Sequence, residues 1–253
     1  MIHTVSNCLL DMIEKNHTEE GVAAPEAITV QDALEDMDKN FMMSTMAKNV
    51  FFCLDYSGSM GATFLSNKTG ERSTRIKSAN ENLLNIFDNH VADDDHVGFL
   101  RFDHMVDTKL YFQLEMKGPR VSYLRGIISE ARITRGGTRM YFALNWAVDD
   151  ILKSDSCGQE SWIVALTDGS SMDGPGAFIN RVIDLNRKRR NKIHLVIVGV
   201  EVLSSVVEVC RRACTVSSKS VYIDSRGGLD AMNEAFEQVA AVIAGVSTTM
   251  ETF

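Results

Sequence analysis

Basic charge, cysteine, proline and long apolar runs are all scarce in this chain, and each scarcity narrows its class. Lys and Arg total 26 against 34 Asp and Glu, a net charge of −8 over 253 residues, which argues against bulk attraction to nucleic acid or an anionic membrane. No segment approaches the roughly 18 apolar residues that span a bilayer; the longest candidate, 239–246, is far shorter. The five cysteines (8, 53, 157, 210, 214) contain no CxxC pair and leave an odd one over, which suits reduced thiols better than a disulfide framework. The six histidines show no HExxH spacing, so nothing supports a zinc hydrolase. Only three prolines interrupt the chain, and there is no internal repeat or low-complexity tract. The first residues carry Asp11 and Glu14 and no basic region ahead of their apolar part, so they do not read as a signal peptide, and an intracellular, cytoplasmic setting is expected, or an extracellular one if the chain is a domain excised from a longer secreted protein. Two sequons, at Asn16 and Asn67, matter only in a secreted protein.

What is present is an ordinary globular balance, 45% hydrophobic and 24% charged, arranged as an alternation of strand and helix patterns. Residues 49–54, 97–102, 161–167, 192–200 and 220–223 are short apolar runs rich in β-branched and aromatic residues, the pattern of strands buried on both faces of a parallel sheet. Residues 106–114 alternate more and follow closely on 97–102, which predicts a hairpin and one antiparallel edge strand. Between these runs, segments near 74–88, 121–132, 140–153, 178–183, 203–210 and 229–246 repeat apolar residues three and four apart, each with one stripe to bury. The expectation is an α/β, doubly wound, mostly parallel six-stranded sheet with helices on both faces, a Rossmann-like fold. Residues 48–253 form this domain, and 1–47 read as an N-terminal helical extension. The cluster Arg187-Lys188-Arg189-Arg190 closes a helix, where cations favour the negative helix end. Cys210 and Cys214 share a helix face as buried thiols.

The chemistry-bearing residues fall at the predicted carboxyl ends of strands, where open sheets bind ligands. The first strand runs into Asp55-Tyr56-Ser57-Gly58-Ser59, placing oxygen side chains at alternate positions. Arg135-Gly136-Gly137-Thr138 precedes a helix and offers another hydroxyl. Thr167-Asp168-Gly169-Ser170 leaves the 161–167 strand with a second carboxylate. Two carboxylates and three hydroxyls, with no thiol or imidazole, make a hard oxygen site suited to Mg²⁺ or Mn²⁺ rather than zinc or copper. Singly, each loop also reads as an Asx turn, a helix cap or a plain turn. Together they converge if the first strand and 161–167 are neighbours.

With these motifs, and with Val97-Gly98-Phe99-Leu100-Arg101-Phe102, residues 48–246 resemble the von Willebrand factor type A domain family, which includes the integrin inserted domains. The resemblance implies an adhesion-type, non-enzymatic interaction module with a metal-ion-dependent adhesion site. In it Ser57, Ser59 and Thr138 would be hydroxyl ligands of Mg²⁺ or Mn²⁺, and Asp55 and Asp168 would bind directly or through water. The metal would bridge to a Glu or Asp carboxylate of a protein partner, with Tyr56, Arg139 and Ser170 expected at the contact rim. Two departures stand out: Arg139 follows Thr138 where the family often has a short polar residue, and 61–73 is a long link, read as a partner-shaping or merely tolerated surface loop.

Two other readings compete. One is a Mg²⁺-dependent phosphoryl-transfer hydrolase with Asp55 as nucleophile, supported by Asp168 and Asp173 after a later strand; haloacid dehalogenase-type enzymes need an acid two residues after the nucleophile, where this chain has Ser57. The other is a scaffold that keeps the fold and leaves its metal site empty.

Overall fold

The computed structural model describes residues 47–130, 136–154, 160–190 and 192–245. The extension expected over 1–47 falls, apart from Ala47, outside the described residues. Within them the chain runs β1 (Asn49–Asp55), β2 (Thr63–Leu65), β3 (Arg72–Thr74), α1 (Arg75–Asn89), β4 (His96–Phe102), β5 (Phe112–Met116), α2 (Val121–Ser129), α3 (Met140–Lys153), β6 (Ser161–Thr167), α4 (Gly176–Lys188), β7 (Ile193–Val200), α5 (Ser204–Ala213), β8 (Val221–Ser225) and α6 (Gly228–Ile243).

Six strands make one sheet in the order β5-β4-β1-β6-β7-β8, parallel except for β5, which runs antiparallel to β4. The expected six-stranded α/β sheet with one antiparallel edge strand is therefore the architecture. Strand β1 shows why the apolar runs are continuous. Val50, Phe52 and Leu54 pack on one face against α1, α2 and α6, while Phe51 and Cys53 pack on the other against α3, α4 and α5. Every residue of β1 is buried, because a strand covered on both sides has no solvent face to mark with polar residues. Truncating a ring such as Phe52 to Ala would cost about 3–5 kcal/mol. Gly98 on β4 lies beside Phe51, whose ring would come within 2.3 Å of an added Cβ, so the close approach of the two strands requires glycine there.

Two differences from the sequence-based expectation are structural findings. The edge strand expected at 106–114 lies at Phe112–Met116. Val106 makes only an isolated bridge to Phe102, and the chain then turns, with Asp107 Oδ1 accepting from Lys109 N, before ladder pairing begins. The 61–73 link is not a plain loop: β2 and β3 form a two-stranded antiparallel hairpin, pinned to α6 where Asp230 accepts from Ser66 Oγ and from the backbone N–H groups of Asn67 and Lys68.

The register positions the site. From β1 the chain proceeds to β4 on one side, while β6 lies on the other. The switch in strand order therefore falls between β1 and β6, the position where open α/β sheets form a crevice at their carboxyl edge. Leu54 is level with Leu166, so Asp55 and the Thr167-Asp168 pair leave the sheet side by side.

Candidate functional site

Three loops meet at that crevice. The first follows β1. Asp55 is fully buried; its Oδ1 accepts from Ser57 N at 2.8 Å, which turns the chain back over the strand end. Ser57 Oγ lies 3.0 Å from Ser59 Oγ. The second loop carries Thr138, whose Oγ1 is 3.4 Å from Asp55 Oδ2. The third supplies Asp168, whose Oδ1 accepts from Ser59 Oγ at 2.6 Å. Asp55, Ser57, Ser59, Thr138 and Asp168 are thus joined by a chain of hydrogen bonds that passes through Ser57 N and otherwise from oxygen to oxygen, across residues up to 113 positions apart in the chain.

The loops are tied to one another through their backbones. Met172 N donates to Thr138 O, and Arg139 N donates to Asp103 O, which follows β4. Gly136 answers to this closeness: a Cβ there would sit 2.3 Å from His104 Nδ1 and 2.7 Å from Oδ2 of the buried Asp103.

Of the three rim residues, Arg139 and Ser170 are exposed, with the Arg139 guanidinium stacked 4.8 Å from the Phe142 ring centroid. Tyr56 corrects the expectation. It is 3% exposed and faces inward, its hydroxyl donating to Glu130 O at 2.5 Å and its ring lying 4.2 Å from the Arg101 guanidinium carbon. Alternate residues of this loop face opposite ways, so the serines that reach the site direct Tyr56 into the core.

Two side chains to which sequence reasoning gave no role complete the site. Thr167 Oγ1 donates to Asp55 Oδ2 at 2.7 Å. The residue stood in the motif, but only the β1–β6 register reveals its partner. Arg75, the first residue of α1, donates from Nη1 to Asp168 Oδ2 at 2.8 Å, and no local pattern announces a contact 93 residues apart. Asp173 is used elsewhere, accepting from the Tyr141 and Phe142 N–H groups at the start of α3. Beside the site a cavity of about 220 Å³ is lined by Ser170, Ser171, Tyr141, Val206 and Cys210 among others.

Burial pushes the Asp55 carboxyl up to about 6; hydrogen bonds from Thr167 and Ser57 oppose the rise, and the neighbouring Asp168 carboxylate adds to it. A nearby cation would favour the ionised form. The described residues contain no cluster of three or more His, Cys, Asp or Glu side chains able to hold a metal, so any ion here depends on hydroxyl oxygens as well. The spacing suits that: adjacent oxygens around a six-coordinate Mg²⁺ at 2.0–2.1 Å lie about 3 Å apart, and the Ser57–Ser59 and Ser59–Asp168 oxygen pairs stand 3.0 and 2.6 Å apart.

A family model described as the von Willebrand factor type A domain matches residues 49–235. No match is found among curated proteins. Solved structures share the fold at low identity. The PilB minor pilin from Streptococcus sanguinis is 12% identical, with a TM-score of 0.60 over 82% of this chain and 64% of its own. A von Willebrand factor type A protein from Catenulispora acidiphila is 18% identical, with a TM-score of 0.59 over 79% of this chain and 44% of its own. Proximal thread matrix protein 1 from the mussel byssus, with a zinc-occupied MIDAS motif, is 17% identical, with a TM-score of 0.56 over 88% of this chain and 54% of its own. The chain thus spans less than two thirds of the length of each of these three proteins.

Proposed function

Because the chain belongs to the von Willebrand factor type A domain family, whose members are protein-interaction modules, we propose that it is a metal-dependent binding module that holds Mg²⁺ or Mn²⁺ and captures a Glu or Asp carboxylate of a protein partner. The observation that carries this reading is the convergence of two carboxylates and three hydroxyls at one point of the carboxyl edge, with oxygen spacings that match an octahedral shell.

In this reading Ser57, Ser59 and Thr138 provide neutral oxygens, and Asp55 and Asp168 the negative charge. A bound divalent ion would supply a Lewis-acidic centre; Asp55 and Asp168 formally balance its charge, and five side chains leave a coordination position of an octahedral shell open to a carboxylate from outside. Thr167 and Ser57 N hold the Asp55 carboxylate in one orientation, as hydrogen bonds to a metal-binding carboxylate do. Arg139 and Ser170 stand exposed at the rim, where a cation and a hydroxyl favour an acidic segment. The mussel byssus protein holds zinc in its motif; the all-oxygen donor set here favours the harder ions.

The hydrolase reading receives less support. A nucleophilic Asp55 would need a free oxygen exposed to substrate, yet the residue is fully buried and both its oxygens accept hydrogen bonds. Asp173, one of the two later aspartates of that reading, caps α3, and Ser57 still stands where the acid is needed.

Calorimetric titration of metal-free protein with Mg²⁺, Mn²⁺ and Zn²⁺, beside Asp168→Ala, tests the proposal. A single saturable site lost in the variant is expected. Saturation at 100 times Kd should add about 2.7 kcal/mol of stability, or about 5–10 °C in Tm for a domain of this size. Absence of heat and of a Tm shift at millimolar metal would sink it.

A further inference from the structure

Arg75 supplies the positive charge at this site. Its Nη1 lies 2.8 Å from Asp168 Oδ2, and the Asp168 side chain is wholly buried while that of Arg75 is 18% exposed. Among the described residues no other Lys or Arg is ion-paired with Asp55 or Asp168. The guanidinium rests 5.4 Å from the ring centroid of Phe64 on β2, and Arg75 N donates to Ala62 O, so the β2–β3 hairpin carries the shelf that holds it. The grip is partial: Arg75 Nε is buried without a hydrogen-bond partner, so the pair is not the two-pronged fork that makes Arg–carboxylate contacts hardest to exchange.

We propose that Arg75 is the resident counter-cation of the site, competing with the divalent ion for Asp168 and so setting the affinity for metal; the inference rests on the metal-site reading above. Without metal, two carboxylates close together in a buried crevice repel, and a guanidinium on one of them relieves part of that cost. When a divalent ion arrives, the same guanidinium becomes a like charge at short range and already engages one oxygen of Asp168. Net local charge drops from −2 to −1 before the metal binds. Arg75 therefore stabilises the metal-free protein and weakens metal binding, two effects of opposite sign from one side chain. A purely structural arginine would give only the first.

The test uses the full chain, Mg²⁺ alone as probe, and Arg75→Gln beside Arg75→Lys and Phe64→Leu. Calorimetry should show Arg75→Gln binding Mg²⁺ about tenfold tighter, the scale of one partly screened like-charge contact removed. In EDTA its Tm should fall below that of the parent, and saturating Mg²⁺ should close the gap. Arg75→Lys, which keeps the charge, should stay near the parent. Phe64→Leu keeps an apolar side chain but loses the aromatic face, and should tighten Mg²⁺ about two- to threefold, which preserves the test if Arg75→Gln does not fold. If the parent binds Mg²⁺, loses it in Asp168→Ala, and neither Arg75→Gln nor Phe64→Leu binds tighter, the competition is wrong while the metal site stands. If neither the parent nor any variant binds, both readings fall.

Discussion

Strands β1 and β6 end in largely buried polar clusters at both edges of the sheet, with the Glu160–Lys219 pair at the amino edge and Ser59 at the carboxyl edge more open to solvent, and the two clusters are balanced differently. At the amino edge, Asn49 Nδ2 donates to Ser161 Oγ. Asp95 accepts from the backbone N–H groups of Lys48 and Ala92, Lys117 Nζ donates to Val91 O, and Glu160 pairs with Lys219 at 2.6 Å. His194 Nδ1 meets Ser217 Oγ, which in turn contacts Ser220 Oγ. There each charged group is answered by an opposite charge or by backbone. At the carboxyl edge one of two carboxylates, Asp168, meets a guanidinium, and the other, Asp55, meets only hydroxyls and a backbone N–H. A cluster whose charges cancel closes the fold, whereas one left with excess charge and neutral oxygens retains affinity for something from outside. The same strands thus end in a structural seal on one side and a candidate site on the other.

Substitutions at the two edges should separate stability from binding. The largest effect on folding is expected for Asp95→Ala, which strands two backbone N–H groups and should cost about 3 kcal/mol, with Mg²⁺ affinity unchanged. Urea unfolding and calorimetry on the same sample measure both; a large loss of metal affinity would show that the edges are coupled. Next comes Gly136→Ala. The added Cβ has His104 and Asp103 in its way, so the loop holding Thr138 must shift, weakening Mg²⁺ about tenfold for a stability cost of about 1–2 kcal/mol. Equal affinity in that variant would mean that the His104 and Asp103 side chains yield and the loop stays in place, or that Thr138 is not a ligand.

The smallest effect is a pH dependence of the amino edge. The His194 ring nitrogen, 3.6 Å away, and the closer Lys219 ammonium pull the Glu160 carboxyl down from 4.5 to about 2. Because the folded value is depressed, its stabilisation is fully present above pH 4.5 and fades as pH falls towards 2. Glu160→Gln should flatten that part of the stability–pH curve and leave the curve above pH 5 parallel to the parent's. An unchanged slope between pH 4.5 and 2 would show that this ion pair contributes nothing there.

Local pattern was enough for the main elements. β6 falls on the expected residues 161–167 and α3 on 140–153, because a strand covered on both faces and an amphipathic helix each leave a periodic apolar signature. The β2–β3 hairpin left none: its strands are three residues long, and its anchor, Asp230, lies more than 150 positions further on. The same distance hid part of the site, Arg75 on Asp168 and Thr167 on Asp55. Its oxygen side chains sit in short motifs after strands or ahead of a helix and could be read directly, but Arg75 has no motif of its own, and Tyr56 looks like a rim residue until the carbonyl of Glu130 is seen to accept its hydroxyl.

By itself the sequence determined the main strands and helices, though not the β2–β3 hairpin or the bounds of β5, that the sheet is buried on both faces, and that two carboxylates and three hydroxyls lie in loops at strand ends and ahead of a helix. These follow from side-chain periodicity and chain adjacency. Tertiary structure alone decided that β1 and β6 are neighbours in register, which brings Asp55, Thr167 and Asp168 together, that Tyr56 turns inward, and that Arg75 sits on Asp168. Such contacts join residues distant in the chain, and their strength comes from burial that exists only once the sheet, its helices and the hairpin have assembled.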